Sequence, residues 1–447
     1  MKITVARCIA LVIASITCIG CGANVSEEIR VKQIGDCHGI NTLNGADGET
    51  FRISDAGPAD ISEDGMAIVF QTKKSLSDKD TNKVSDIYLL DRRCNEVVLV
   101  SARNNSQVAG NRLSCQPRIS GNGRYVSFVS SATDLVDGDT NDYDDIFVRD
   151  LDQNRTVRVN ISEEGVQDNA DNWKVWAYPG WGPQISWDGR FIAFFSASNQ
   201  LVPNDTNNVG DIFVRDMLAH TVVRVSVSST GGEGEYWSTG PSLSSDGRYI
   251  AFWSSSGNLV SNDSNDEGDI FVHDTLGGTT KRIETSLQGI EGSPTDRTGV
   301  ISGNGRWLFF GLEREGKVVQ DLSMNSTYHL VESVGDDYRA GLLDFTVPVS
   351  VSNDGSRVAF ESNKDVNNGD GAYSNVFVYL RDEDIVIPLS VSPSGELGNG
   401  ASGNAQISGN GRWVVFSSSA SNLVEDDLNT ESDDVFIVPV ERRPVTP

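Results

Sequence analysis

Histidine is scarce in this 447-residue chain, and the four present (His38, His220, His273 and His329) are scattered. No H-x-H or H-E-x-x-H spacing occurs, which excludes the common local zinc motifs. No G-x-S-x-G elbow is found, so the usual α/β-hydrolase nucleophile is missing. The turn "SWDGR" at Ser186–Arg190 lacks the spacing of the S-x-D-x-G-x-x-W sialidase box. Basic residues are few: 36 Lys and Arg stand against 63 Asp and Glu, a net charge of −27. Such a surface repels nucleic acid and anionic lipid. It favours cations or basic partners, and it also serves plain solubility. After Cys21 only Cys37, Cys94 and Cys115 remain, an odd number without C-x-x-C spacing. At most one disulfide forms among them, and a zinc site is not indicated. Long apolar runs are missing beyond residue 20, so no later segment reads as a membrane helix. Helical periodicity is scarce too.

Short runs rich in Val, Ile and Phe, separated by Gly, Asn, Asp and Ser, fill the chain instead, and they read as an all-β fold. The N-terminus is different. Lys2 and Arg7 precede the apolar stretch Cys8–Ile16, and small residues follow, as in an export signal over residues 1–20. Its end, Cys18-Ile19-Gly20-Cys21, resembles a bacterial lipoprotein signal in which Cys21 becomes the lipidated first residue. The position three before Cys21 is usually Leu and here is Cys18, so ordinary cleavage after Ala23 is the other reading. Either reading exports the protein, and export permits disulfides.

One signature organises the rest: an apolar residue, Ser, two residues, Gly, often Arg, then an apolar strand. It begins at Ile61, Ile119, Ile185, Leu243, Ile301, Val351 and Ile407, at intervals of 50 to 66 residues. A sustained period of this size marks a repeat architecture. Each repeat reads as four strands. In the second repeat the first strand ends at Ile119-Ser120, and an Asn-Gly turn follows, a strong hairpin signal. Arg124–Ser131 and Asp145–Asp150 read as the second and third strands. The fourth is Thr156–Ser162, where apolar and polar residues alternate. Four antiparallel strands repeated seven times predict a seven-bladed β-propeller over residues 49–440. The last repeat ends on a third strand, Asp433–Val440. "ETFRIS" (Glu49–Ser54) looks like a stray fourth strand that closes it and hides the sheet edges. Residues 21–48 read as a tether and 441–447 as a tail.

These repeats resemble the TolB-type β-propeller repeat, S-x-D-G-x-x-[IV]-A-F followed by I-[FY]-V-x-D. The resemblance runs from Glu49 to Val440 and implies the fold. TolB itself carries a separate N-terminal α/β domain, whereas only residues 21–48 stand between signal and propeller here. The role of TolB is therefore not implied, and a propeller alone names no function.

Acidic loops join the second and third strands. Asp137, Asp139, Asn141 and Asp145 occupy loop positions 1, 3, 5 and 9. The first repeat matches them with Asp78, Asp80, Asn82 and Asp86, and the seventh with Glu425, Asp427, Asn429 and Asp433. The third keeps Asp205, Asn207 and Asp211, and the fourth Asp263, Asn265 and Asp269. The fifth has lost the loop, and the sixth is degraded. Alternate oxygens on a tight loop suit Ca²⁺, in a structural role. A Gly at position 6 and an acid at position 12 are missing, so these are not EF-hands. The competing reading is that Asp and Asn cap turns through their own backbone.

Blade geometry places these loops on the same face as the links between blades. That face also receives Trp173, Trp176, Tyr178 and Trp181 from an insertion, and Tyr236 and Trp237 from the next link. Aromatics beside acids suit sugar rings or peptide side chains, or they pack against the propeller rim. Cys94 falls on the opposite face from Cys115 and on the side of Cys37, so a Cys37–Cys94 bridge is expected. The sequence thus predicts an exported, lipid-anchored, monomeric propeller that binds a protein partner or scaffolds the cell envelope. The alternative is a carbohydrate-binding or carbohydrate-active propeller, because carboxylate pairs for a glycosidase or lyase are plentiful. No catalytic residue is singled out.

Overall fold

The computed structural model describes residues 51–53, 56–170, 182–261, 263, 267–283, 294, 298–312, 316–329, 350–365, 369–424 and 433–440. Seven four-stranded antiparallel sheets make up the described chain, each with strands in sequential order. The seventh is completed from the other end of the chain. Phe51–Ile53 pairs with Asp434–Pro439, setting Arg52 opposite Phe436. The architecture is the expected seven-bladed propeller, closed by its N-terminal strand.

The repeat signature explains itself in the tight turn between the first two strands. Its Ser hydroxyl donates to the Asp or Asn two residues on, as Ser120 does to Asn122 at 2.7 Å. That same hydroxyl accepts the first N–H of the second strand, as from Tyr125 at 2.9 Å. The Gly adopts a positive φ in every blade, for example 75° at Gly123 and 76° at Gly189. Only Gly takes that conformation without strain. At Gly189 a Cβ would also run into the ring of Tyr125 in the preceding blade. The following Arg pairs with the Asp that ends the third strand: Arg124–Asp150 at 2.7 Å, Arg190–Asp216 at 2.7 Å, Arg248–Asp274 at 2.8 Å and Arg306–Asp321 at 2.7 Å. These pairs are partly solvated and contribute little each.

Phenylalanine dominates the layers between strands. Phe128 stacks on Phe147, Phe194 on Phe213, Phe252 on Phe271, Phe360 on Phe377 and Phe416 on Phe436, with centroids 5.6 to 5.9 Å apart. The first blade substitutes Tyr88 for the second partner, stacked on Phe70. Burying rings of this size is the main source of blade stability.

Backbone bonds link the blades into a closed ring. The carbonyl of the residue after each signature Ser accepts an N–H from the preceding blade. Glu63 N donates to Gly121 O, Asn122 N to Trp187 O, Trp187 N to Ser245 O and Ser245 N to Gly303 O. The circle continues from Asn304 N to Asn353 O and from Asn353 N to Gly409 O, and Asn410 N returns to Glu63 O. Since only main-chain atoms take part, the bond itself does not dictate the side chain at this position, although at Gly121 and Gly303 neighbouring side chains leave no room for a Cβ.

Some strand ends differ from the expectation. The second strand of the second blade is Tyr125–Ser130, and the fourth is Arg155–Arg158, shorter than Thr156–Ser162. The shortening has a cause. The Asn160 side chain, not its backbone, accepts the Ile146 N–H at 2.9 Å, so the chain leaves the ladder there. In the sixth blade, where the acidic loop is degraded, the strands are longer, Arg357–Asp365 and Gly369–Leu380.

Candidate functional site

The acidic loops lie where the sequence places them, against the links between blades. Their central Asn does the fastening. Asn82 Nδ2 donates to Asp86 at 2.7 Å and to Gly110 O in the link at 2.8 Å. Asn207 repeats this with Asp211 at 2.9 Å and Gly234 O at 2.8 Å, and Asn141 with Asp145 at 3.4 Å and Asp168 O at 3.0 Å. Each Asn Oδ1 accepts the N–H two residues on: Val84, Tyr143 and Val209. Those partners orient the amide, with its oxygen toward its own backbone and its nitrogen toward the ninth-position Asp.

A second feature, missed in the sequence, fills the loops. Arg158 on the fourth strand reaches Asp139 at 3.1 Å and Asp145 at 3.0 Å. Arg224 reaches Asp205 at 3.1 Å, Asp211 at 3.2 Å and Glu233 at 2.9 Å. Arg282 reaches Asp263 at 3.3 Å and Asp269 at 3.6 Å, and Arg52 reaches Asp434 at 2.7 Å. These guanidiniums neutralise part of a charge that would be costly to bury alone. Burial still pushes the carboxyls of Asp145 and Asp205 up to about 6, with the arginine opposing the rise. Among the described residues no three His, Cys, Asp or Glu side chains converge as an ion site. A sequence signal for these arginines existed: "TFRI", "TVRV", "TVVRV" and "TKRI" all carry Arg before an apolar residue at the same strand position.

The seventh blade needs one correction. Asp434, not Asp433, stands opposite Ser418, as Asp145 stands opposite Ser130. The loop there is one residue longer, and Asp433 instead offers its carbonyl to Ala56 N. Asn265, Glu425, Asp427 and Asn429 lie outside the described residues.

The first loop differs from the others. Leu99 replaces the arginine, opposite Tyr88. Tyr88 OH donates to Asp80 at 2.5 Å, and Ser101 Oγ donates to Asp86 at 2.6 Å. Burial first, and then the nearby Asp80 charge, push the Asp86 carboxyl up to about 6, against the lowering effect of the Ser101 and Asn82 bonds. Asp78 and Asp137, at position 1 of their loops, are exposed.

Of the aromatics expected on this face, Tyr236 is 57% exposed. Trp237 stacks on Phe195 with centroids 5.8 Å apart and so belongs to the rim packing. Trp173, Trp176, Tyr178 and Trp181 lie outside the described residues, as do Cys21 and Cys37. Cys94 is half-buried in the turn between the third and fourth strands of its blade, and Cys115 is buried on the first strand of the next. Burial raises the Cys115 thiol. His273 is buried with Nδ1 2.9 Å from Thr280 Oγ1, and burial lowers its pKa.

The opposite face carries an axial cap. Trp187 Nε1 donates to Glu63 two blades away, and the indole lies over Gly121, where a Cβ would collide with it. Ser245 Oγ donates to Asn353 Oδ1 at 3.1 Å, and this contact passes over Gly303 in the same way. Side chains therefore cross this end of the axis.

No protein-family model matches the chain, and no curated protein matches it. Solved structures do. An oligogalacturonate lyase from Vibrio parahaemolyticus superposes with a TM-score of 0.54 at 12% identity, over 89% of this chain and 95% of that one. The β-propeller domain of the trilobed protease from Pyrococcus furiosus gives 0.50 at 11%, over 87% and 97%. TolB from Acinetobacter baumannii gives 0.39 at 15%, over 70% of this chain and 61% of that one. This chain therefore spans less than two thirds of that TolB. At these identities the likeness concerns the fold. With the signature of seven repeats and the seven sheets that they form, the chain is a seven-bladed β-propeller whose repeats resemble the TolB type.

Proposed function

We propose that this protein is an exported, lipid-anchored propeller that binds a basic protein partner of the cell envelope through its acidic face. One observation carries the reading: the loops are stiffened from within, while their outer acids stay exposed. Arginines and asparagines hold the inner carboxylates, while Asp78 and Asp137 stay exposed, Asp142 is exposed and pairs with Arg112 at 2.6 Å, and Tyr143 and Tyr236 are 40% and 57% exposed. Rigid loops that expose acids and tyrosines, with Lys79 and Lys83 exposed among them in the first loop, lose little entropy on binding and offer a cationic partner carboxylates to pair with. The N-terminal export signal supports the location, and Cys21 is the lipidation site.

A photo-crosslinking residue at Tyr236 or Tyr143, with Leu218 on the turn face as control, tests this in cells expressing the full chain. Adducts from the first two positions that weaken with salt and with D78N/D137N are expected. Adducts from Leu218 alone, or none, would remove the reading. A second reading, a glycan ligand, draws on the exposed ring of Tyr236 next to acids. The negative face would repel an anionic polysaccharide such as a pectate, so a neutral or cationic glycan is the form worth screening.

A further inference from the structure

Within the described chain, arginine and acidic loop travel together, with one exception. The arginine always stands opposite the third-strand Phe: Arg52 opposite Phe436, Arg158 opposite Phe147, Arg224 opposite Phe213 and Arg282 opposite Phe271. The two blades that lack the loop also lack the arginine, with His329 opposite Val318 and Pro388 opposite Phe377. The first blade has the loop acids without the arginine.

What replaces it there is neutral. Asp80 is 7% exposed and Asp86 fully buried. Asp86 accepts from Asn82 and Ser101, and Asp80 Oδ2 from Tyr88. Asp80 Oδ1 has no hydrogen-bond partner, although it is out of reach of solvent. Asp205 also leaves one oxygen without a hydrogen-bond partner, but Arg224 neutralises it, whereas here two buried carboxylates have only neutral donors, so their charge is uncompensated.

We propose that the loop of the first blade binds a single hard cation, with Ca²⁺ as the chemical fit, in the place that a guanidinium fills in the second, third, fourth and seventh blades. Asp80 Oδ1 and Asp86 supply two negative charges, matching a divalent ion. Main-chain carbonyls and water complete the six to eight oxygens that Ca²⁺ takes. The hydroxyl of Tyr88, unique among the third-strand rings at this position, holds the second oxygen of Asp80 and so orients the first. This site is independent of the partner reading, and either can hold without the other.

The test uses the purified full chain, stripped with a chelator and titrated with Ca²⁺ by calorimetry. Tb³⁺ luminescence excited through Tyr88 gives a second readout. One ion per chain is expected, with Kd on the order of 10⁻⁴ to 10⁻³ M, the range of extracellular modules. Ca²⁺ should also raise the melting temperature more than Mg²⁺, which tolerates this irregular oxygen set less well. Asp80→Asn should weaken binding at least tenfold. Leu99→Arg should abolish it by installing the guanidinium of those blades. Asp139→Asn and Asp205→Asn should bind as wild type does. Circular dichroism checks that each variant is folded, and Asp80→Asn decides if Leu99→Arg is not. No binding at millimolar Ca²⁺, undiminished binding in Asp80→Asn, or loss in Asp139→Asn would each overturn the proposal.

Discussion

Glu361→Gln should stabilise the propeller at neutral and alkaline pH and do nothing in acid. Glu361 sits on the second strand of the sixth blade. Its carboxylate accepts the N–H of Asn404, a bulge residue of the next blade with φ of 54°. The first blade solves the same problem with a neutral side chain. Gln71 Oε1 accepts the N–H of Gln116 at 3.3 Å, where φ is 52°. A Gln therefore fits the geometry, and only the charge differs. Burial pushes the Glu361 carboxyl from 4.5 up to about 7, opposed by the bonds from Asn404 and Ala405.

The sign follows from the direction of that shift. Below the unfolded value of 4.5 both states hold the proton, and Glu361 is as good as Gln. As pH rises from 4.5 to about 7, the unfolded chain releases its proton first, and this contribution to stability is lost. Above about 7 the penalty is complete, roughly 3 kcal/mol as an upper bound, because Glu361 is partly exposed. Urea unfolding of wild type and variant at pH 4 and at pH 8.5 measures it. Taking the difference between the two proteins cancels the effects of the −27 net charge. A stability gain at pH 8.5 that vanishes at pH 4 is expected. Equal effects at both pH values, or a loss at pH 8.5, would refute the reasoning.

Two further substitutions test the contacts that build the faces. Arg158→Met leaves Asp139 and Asp145, 2% and 0% exposed, without their cation. It should cost about 3–5 kcal/mol near neutral pH, and Asp145→Asn in the same chain should recover part of this by urea unfolding. Gly121→Ala drives a methyl group into the Trp187 ring. It should cost about 1–3 kcal/mol, and adding Trp187→Ala should relieve the collision and quench the fluorescence change that accompanies it.

The fold was legible because its signals are local. The apolar run of "DIFVRD" and the Gly of each turn lie within a few residues of the structure they specify, so Asp145–Asp150 emerged with its ends in place. The closing strand was legible for the same reason, as a copy of a pattern lacking its own blade. The ligands of the acidic loops were not, because strand register brings them together across the sheet. Arg158 meets Asp139 only once Phe147 faces Arg158, and nothing in the loop's own spacing shows it. Read from the loop alone, Asn141 looks like an oxygen donor to an ion, whereas its neighbours turn its nitrogen inward. The axial cap stayed hidden because the ring at that position is made by backbone atoms. Glu63, Gly121, Trp187, Ser245, Gly303, Asn353 and Gly409 share no chemistry, yet all accept the same bond. Positions whose work is done by the backbone are those where a repeat can diverge without unfolding. Leu99 and Glu361 are departures of another kind, because each replaces a side chain that does work in a sister blade. A departure of that kind leaves a buried charge, which the proposed cation would offset in one case and which costs stability at neutral pH in the other, and the repeat itself supplies the control for each: Arg158 for Leu99 and Gln71 for Glu361.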